Sequence, residues 1–338
     1  MTSGDDQTTE VVVVGEKIKR SLQKTQSSVA VTNSKKIEDE NIQNFYDIVQ
    51  RTANMNEVGE GQGFTIRGIN NQSVSGGGAG ELATVYFDGA ALDGQVLSTS
   101  TLETWDLAQV EVYRGPQSTI QGRNALAGAV IMRSQDPTWY WDGHARVSYS
   151  DPAIRTFAIA GGGPIIDDQV AFRVSAEDSH RDGIIHNETR HEIADEGGDQ
   201  TLRGKLLFKP KAFDDKLDVL LTYSSARHAA GDNTYVSTDV PDYFHNRENF
   251  ANDPVRAWTK LGIFTAESHY RFDDHWTLTP VLSWSDYRYD DIYDADWSQA
   301  DGGNGEVHDN EYTRVTGTAA ELQGRQAQRP VRHLSFRP

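Results

Sequence analysis

The chain has 338 residues, a formal net charge of −18 and no cysteine. This length accommodates two ordinary domains, and the acidic balance argues against general nucleic-acid binding, which needs basic patches. The sequence has no continuous apolar run of about 18 residues and therefore predicts no transmembrane helix. Transmembrane β-strands remain compatible with this composition, because apolar and polar residues alternate along them.

The N-terminal residues 1–27 are mainly polar and contain a run of four consecutive valines at 11–14. We expect a flexible tail that carries one short β-prone segment. The first ten residues lack a basic region and an apolar core, so no signal peptide is visible. Taken literally, this start predicts a cytoplasmic protein; otherwise the true start lies upstream or a signal has been removed.

Residues 28–138 have the pattern of a compact α+β domain. Apolar residues at helical spacing predict a helix within 37–50. From residue 57 onward this segment is rich in glycine and contains short apolar runs such as ATVYFDG and AGAVIMRS. Short apolar runs separated by glycines predict short strands joined by tight turns.

The pattern changes after Pro137 to an alternation of apolar and polar residues. In one example, Val170, Phe172 and Val174 alternate with Arg173 and Ser175. A period of two predicts strands with one buried face. We predict eight strands, near 141–150, 153–162, 169–179, 201–210, 216–226, 261–272, 275–289 and 312–323.

The links between these strands alternate in length from the second strand onward. Three links are short and acidic, whereas the links at 180–200, 227–260 and 290–311 are long. Outer-membrane barrels have short periplasmic turns and long extracellular loops, and aromatic residues near their strand ends. The alternative for those aromatic residues is ordinary core packing.

The predicted fold class is an α+β domain followed by the first strands of a transmembrane antiparallel β-barrel, which occupy 139–323. Barrels that hold a domain need about 22 strands, so a barrel of about 8 strands is incomplete. Residues 324–338 carry four arginines and no acidic residue, which makes this tail anomalous. We expect a frameshift or a truncated reading frame, and resequencing the locus tests this.

Three segments resemble the plug-domain signatures of TonB-dependent outer-membrane receptors, most closely those of the iron-complex (siderophore) branch. They are FTIRGI at 64–69, VYFDG at 85–89 and VEVYRGPQSTIQGRNALAGAVIMRSQDP at 110–137. The longest segment follows the family order through Glu111, Val112, Arg114, Gly115, Pro116, Gln117, Gly122, Arg123, Asn124, Ala125, Gly128 and Ala129. The chain departs from the family at 118–121, where an aromatic residue is usual. The resemblance covers about 1–323 and ends at the tail.

The resemblance implies a TonB box near the N-terminus. Its residues are Glu10, Val11, Val12, Val13 and Val14. An extended β-branched segment on a loose tail can add a strand to a partner's sheet edge, and the partner implied is the energy-transducing protein TonB. The alternative is that these valines form the first strand of the plug.

The resemblance also implies a contact that holds the plug inside the barrel. Arg67 and Arg114, each followed by a glycine (Gly68 and Gly115), correspond to plug arginines that face barrel glutamates in the family, and Glu321 resembles such a glutamate. Arginine–carboxylate pairs of this kind are geometrically specific. The alternative is a surface salt bridge of little energetic value.

No motif indicates catalysis, a cofactor or a metal centre. His186, Glu188 and His191 lie in a long link without a known metal-ligand spacing, and five aspartates within 290–301 lack the spacing of a calcium-binding loop. We interpret both as solvated loops.

The predicted function is therefore energy-coupled uptake of a ferric siderophore or similar iron complex at the outer membrane of a Gram-negative cell. The implied partners are TonB, the scarce solute, outer-membrane lipid and the barrel-assembly machinery. One alternative is import of a non-iron nutrient, such as a glycan, cobalamin or an aromatic compound. Another is a fragment that does not transport and whose open strand edges predict aggregation.

Overall fold

The computed structural model describes the larger part of the chain, with residues 12, 20, 21 and 306–324 as backbone only. The described residues are 12–13, 20–21, 25, 27–59, 63–71, 81–100, 102–117, 125–151, 153–231, 236–273, 275–294 and 306–324.

The described residues of the first half of the chain form three helices and ten short strands. The helices are α1 (Ser34–Asp39), α2 (Phe45–Arg51) and α3 (Gly94–Thr99). The strands are β1 (Val12–Val13), β2 (Arg20–Ser21), β3 (Val29–Asn33), β4 (Met55–Val58), β5 (Gly63–Ile66), β6 (Ile69–Asn70), β7 (Ala83–Phe87), β8 (Ala90–Ala91), β9 (Leu107–Arg114) and β10 (Gly128–Ser134).

The segment from β3 to β10, called the N-terminal domain below, is built around a five-stranded mixed sheet. Its strand order is β3-β9-β10-β7-β8, in which only β10 and β7 are parallel. A second small sheet is formed by β4, β5 and β6. Phe45, Phe64, Val85 and Val110 are among the fully buried side chains of the core between sheet and helices. The predicted α+β domain is confirmed.

The segment 37–50, predicted to contain a helix, is interrupted, since α1 ends at Asp39 and α2 begins at Phe45. Asn44 accepts a hydrogen bond from the backbone of Asp47, and the Asp47 carboxylate accepts one from the backbone of Asn44. This capping box fixes the start of α2 at that point. Ile42, in the connection, is fully buried, so its apolar position reflects packing of a turn.

The second half of the chain is dominated by long antiparallel strands. They are β11 (Asp142–Ser150), β12 (Ile154–Ile166), β13 (Val170–Arg181), β16 (Gly197–Phe208), β17 (Leu217–Gly231), β19 (Arg256–Arg271), β20 (Trp276–Asp294) and β21 (Glu306–Gly324). In the described parts of the links lie three shorter strands, β14 (His186–Asn187), β15 (Glu192–Ile193) and β18 (Glu248–Asn249).

The eight long strands form one sheet, called the wall sheet below, in which each strand pairs with the next along the chain. All eight predicted strands are present, and several extend further toward the long links than predicted. From β12 onward the short links are 167–169, 209–216 and 272–275, and the long links are 182–196, 232–255 and 295–305; β11 and β12 are joined by residues 151–153. The predicted fold class, a domain followed by strands of an incomplete antiparallel barrel, is confirmed.

Candidate functional site

The wall sheet has an apolar face that is exposed and a polar face that is buried. On the exposed face, Val147, Tyr149 and Ile159 are 74%, 74% and 63% accessible. On the opposite face, polar side chains are buried, among them Thr156, Arg173, Ser175, Glu177, Arg203, Lys205, Thr222 and Thr265. This is the inverse of a water-soluble sheet, and it fits strands whose outer side contacts lipid.

The buried polar face packs against the N-terminal domain. Leu261, Ile263 and Tyr287 of the wall sheet belong to the same hydrophobic cluster as the core of the N-terminal domain. Trp105 inserts between the two and donates its indole N–H to the carbonyl oxygen of Ile159 at 3.1 Å. The two parts therefore share one core rather than a loose interface.

Lys205 anchors one edge of the N-terminal domain. Its Nζ donates to the carbonyl oxygen of Ser134 at 3.0 Å and lies 2.8 Å from Asp136 and 3.4 Å from Asp88. The Asp88 carboxylate also accepts hydrogen bonds from the backbone and hydroxyl of Ser134. Burial raises the pKa of Asp88, but Lys205, Arg203 and Ser134 outweigh it and hold the pKa below its usual value.

Arg173 anchors a second point on the same edge. It donates from Nε and Nη2 to Asp106 at 2.9 and 2.6 Å, and from Nη1 to Asp142 at 3.1 Å. Such a paired geometry is strong because both partners are ionised and their orientation is fixed. We call Asp88, Asp106 and Asp136 with Arg173 and Lys205 the acid–base clamp.

Further cations lie at this interface, among them Arg203 and Arg133. Arg203 donates to the carbonyl oxygen of Trp105 at 3.2 Å and lies over the ring of Phe87. Arg133 of β10 forms an ion pair with Glu267 of β19 at 3.5 Å. A cation of the wall sheet thus contacts the N-terminal domain, and a cation of the N-terminal domain contacts the wall sheet.

The arginines predicted to hold the plug lie next to each other. The guanidinium group of Arg67 lies close to Gly115, since a Cβ placed on this glycine would be 3.7 Å from Nη1 of Arg67. Arg114 donates to the carbonyl oxygen of Ala53 at 3.2 Å. Arg67 and Gly68 have φ values of +52° and +80°, and Gly115 has +137°. Neither arginine forms an ion pair with a described residue of the wall sheet.

The other predicted site residues are only partly described. Glu111 is buried in β9 and accepts a hydrogen bond from the hydroxyl of Tyr113 at 2.6 Å. Glu321 lies in β21 with its backbone in register with Thr279, and its side chain is outside the described part. The predicted residues Gly122, Arg123 and Asn124 lie outside the described residues.

The predicted TonB box is described at Val12 and Val13, whereas Glu10, Val11 and Val14 lie outside the described residues. These two valines form β1, which pairs with β2 and with no strand of the five-stranded sheet. Val13 is fully buried. A two-residue ladder is marginal by itself, so it can be exchanged for a longer strand pairing.

A small cavity lies between the N-terminal domain and the wall sheet, toward the long links. Its lining includes Ser100, Glu103, Asp199, His228 and Thr259. His228 Nδ1 and Asp199 Oδ1 are 2.6 Å apart, and Thr259 donates its hydroxyl to the carbonyl oxygen of Thr99 at 2.7 Å. The cavity therefore has polar walls contributed by both parts of the chain.

Within the described part of the chain, no group of three or more His, Cys, Asp or Glu side chains could hold a metal ion. His186 and Glu188 belong to the ordered links, where β14 joins β15 and β18 in a small sheet. Of the helices in the described residues, none is long and apolar enough to cross a membrane.

The acid–base clamp was not predicted from the sequence, although two of its three acidic residues lie inside the family motifs. Asp88 is the aspartate of VYFDG and Asp136 that of RSQDP. The available signal was the placement of Arg173, Arg203 and Lys205 on the polar side of alternating strands. Inward cations on such strands need buried partners, and that requirement points to the adjoining domain.

Comparison with known proteins identifies the N-terminal domain. Residues 21–129 match the TonB-dependent Receptor Plug Domain. The chain is 24% identical to the Ferrioxamine receptor of Yersinia enterocolitica over 289 residues, and 28% identical to the Ferrioxamine B receptor of Salmonella typhimurium over 166 residues. These alignments cover 81% and 47% of this chain, and 38% and 22% of those proteins.

Solved structures share the fold. The ferric yersiniabactin uptake receptor FyuA from Yersinia pestis matches with a TM-score of 0.77 at 17% identity, covering 90% of this chain and 46% of that one. The siderophore receptor PiuA from Acinetobacter baumannii matches with a TM-score of 0.71 at 16% identity, over 91% of this chain and 44% of that one. The chain thus spans less than half the length of the relatives it matches.

Proposed function

Because residues 21–129 match the plug domain of TonB-dependent receptors, we propose that the chain serves in the energy-coupled uptake of a ferric siderophore or a similar iron complex across the outer membrane. The observation that carries the proposal is a plug domain packed on the polar face of strands whose other face is apolar and exposed. The relatives it resembles are named as receptors for iron complexes. The plug is the gate, and the family is one of receptors, not of enzymes.

We assign the solute to the side of the plug that faces the long links. The cavity there is lined by both the plug and the wall sheet, so a ligand in contact with Ser100 and His228 touches both at once. A ligand bound across such a boundary can bias the position of the plug. His228→Ala should weaken binding of the iron complex in a titration with purified receptor, whereas His275→Ala, in the short link at the opposite end, should not.

Uptake itself is tested with the full-length gene expressed in iron-limited cells. Growth and accumulation of labelled iron should depend on the gene and on an added ferric siderophore. A receptor that leaves iron uptake unchanged but is required for growth on a glycan, cobalamin or an aromatic compound would replace this proposal with import of that nutrient.

The segment from Glu10 to Val14 is proposed as the TonB box. Its valines favour an extended conformation, and TonB would pair with it as an added strand. Val12→Pro removes a backbone donor and should abolish uptake while ligand affinity is unchanged. Thr8→Pro is the matched control and should leave uptake intact; normal uptake by the Val12→Pro protein would contradict the assignment.

Arg67 and Arg114 are proposed to hold the plug through glutamates of the wall, with Glu321 as one partner. The support is their proximity to each other and the glycines that follow them. A double-mutant cycle on Arg114→Ala and Glu321→Ala measures the coupling directly. Additive effects of the two substitutions on unfolding would show that the pair does not exist.

The domain organisation proposed for the chain follows from the same family: a TonB box and linker at 1–27, the plug at 28–138, barrel strands at 139–323 and a separate basic tail at 324–338. Insertion of the strands would require outer-membrane lipid and the barrel-assembly machinery. Fractionation of cells expressing the chain tests this, since an inserted species should sediment with the outer membrane.

A further inference from the structure

Strands β13 and β16 of the wall sheet carry opposed positive charges. Arg173 and Lys205 are direct cross-strand partners, and both are almost completely buried on the same face. Arg203 lies two residues from Lys205 on that face and is also buried. Like charges directly opposite each other destabilise a strand pair. The pairing of β13 with β16 therefore contains a repulsion that something else must neutralise.

The wall sheet supplies only part of the opposite charge. Asp142 lies 3.1 Å from Arg173, and Glu177 is already paired with Arg146 at 2.8 Å. Among the described residues, the other carboxylates within ion-pair distance of Arg173 and Lys205 are Asp88 and Asp106 of the N-terminal domain and Asp136 in the connection that follows β10.

Two of these carboxylates are positioned by the N-terminal domain itself. Asp88 and Asp106 lie in turns with φ values of +44° and +56°. Asp88 is further fixed by two hydrogen bonds from Ser134. A preorganised carboxylate loses little conformational freedom when it binds a cation, so the edge of the N-terminal domain is a ready counter-charge for the strand pair.

We infer that the plug is an electrostatic folding partner of the wall: β13 pairs stably with β16 only while Asp88, Asp106 and Asp136 neutralise Arg173 and Lys205. The clamp thus couples plug docking to the correct pairing of neighbouring strands, whatever solute the protein imports. A plug that docks in the wrong place leaves the two cations opposed and the strand pair weak.

This coupling predicts that removal of the two cations changes the strength of strand pairing in opposite directions, depending on whether the aspartates are charged. Ordinary packing predicts no such reversal. With the aspartates present, removal of the cations leaves buried carboxylates without partners and weakens the assembly. With the aspartates neutralised, removal of the cations abolishes the repulsion and strengthens the strand pair. If the clamp were only a set of contacts, each further substitution would weaken the assembly again.

Strand pairing can be measured with a disulfide, because the chain contains no cysteine. Asp178 and Gln200 are direct partners of β13 and β16, and both are exposed. Asp178→Cys with Gln200→Cys places a thiol pair on the same two strands, five residue pairs away from Arg173 and Lys205 and on the opposite face of the sheet. The effective concentration of the two thiols, measured in glutathione redox buffers on the 338-residue chain refolded in phospholipid vesicles, reports how firmly the strands pair.

In this background, Asp88→Asn with Asp106→Asn should lower the effective concentration at least about ten-fold. Adding Arg173→Gln and Lys205→Gln to that protein should recover most of the loss. The same two glutamines introduced alone should lower the value. Asp167→Asn with Asp168→Asn, in the exposed link between β12 and β13, changes charge equally and should have no effect.

Two results would overturn the inference. One is an unchanged effective concentration when Asp88 and Asp106 are both replaced by asparagine. The other is an effective concentration in the variant with all four substitutions that is no higher than in the double asparagine variant. This second result includes the case in which neither variant folds. Both outcomes are independent of transport, so they do not depend on whether the proposed uptake function is correct.

Discussion

At the scale of single residues, Arg67 shows how a motif can impose local strain. Arg67 and Gly68 form the two-residue turn between β5 and β6, and both have positive φ. Such turns favour asparagine or glycine, and a left-handed non-glycine residue costs about 1 kcal/mol. The guanidinium group of Arg67 lies close to Gly115, so it is not directed only into solvent. The strain is therefore consistent with a role for the guanidinium group, as proposed for holding the plug.

Glu81 is a second residue whose environment has a measurable consequence. Burial and then the nearby Asp93 raise its pKa from 4.5 to about 7, although its carboxylate accepts a hydrogen bond from the backbone of Gly94. The folded state therefore binds this proton more tightly than the unfolded state does. The stability that the proton contributes is complete below pH 4.5 and is lost as the pH rises toward about 7.

Glu81→Gln should remove this pH dependence, because the amide oxygen can still accept from Gly94 but carries no charge. We expect the variant to match the parent near pH 5 and to be more stable near pH 8. Urea unfolding at the two pH values measures the difference. Glu38→Gln on the exposed side of α1 is the control. A variant that is less stable than the parent at pH 8 would contradict the pKa and its cause.

At the scale of elements, the strands could be predicted from the sequence because their period of two is set by burial of one face. What the alternation could not provide was the orientation of the faces. In β12, apolar Phe157 and Ile159 point outward and Thr156 and Ala158 are buried, and both orientations give the same periodicity. The ends of the strands were missed for a related reason, since hydrogen-bonded ladders continue into polar sequence near the long links.

The helices were predicted less well, because hydrophobic spacing does not show where a helix is interrupted. Ile42 continues the helical spacing of apolar residues between α1 and α2, yet it belongs to a turn. The signal that could have separated them is Asn44 followed by Asp47, which resembles an N-terminal capping box. Local capping chemistry, and not the apolar pattern, decides this boundary.

The start of α2 can be tested directly. Asn44→Ala removes the side-chain acceptor for the backbone of Asp47 and should destabilise the N-terminal domain by about 1 kcal/mol. Chemical denaturation followed by circular dichroism gives the value. Asn56→Ala, on an exposed position of β4, is the matched control and should change stability little. Equal effects of the two substitutions would show that the cap is not needed.

At the scale of the whole molecule, the candidate site is made by parts of the chain that are far apart in sequence. Asp106 and Arg173 are separated by 67 residues, and Asp88 and Lys205 by 117. The family motifs mark the plug by its arginines and by glycines that local turns require. The acid–base clamp depends instead on the register of β13 with β16 and on how the domain docks. Neither can be derived from spacing along the sequence.

The apolar face of the wall sheet can be tested for whether it contacts lipid or water. Ile159 lies near the middle of β12 and Ile166 at its end, and they are 63% and 50% exposed. If water surrounded this face, arginine at either position would change stability by less than about 0.5 kcal/mol. In a bilayer, a charge near the midplane costs about 2–4 kcal/mol, and close to the interface about 0–1 kcal/mol.

Ile159→Arg should therefore destabilise the protein in phospholipid vesicles by several-fold more than Ile166→Arg does. Urea titrations of the refolded chain, with insertion followed by protection from added protease, compare the two variants under one condition. The N-terminal domain should keep its own fold in both proteins, because each substituted side chain points away from it. Equal and small effects would show that the apolar face is covered by something other than lipid.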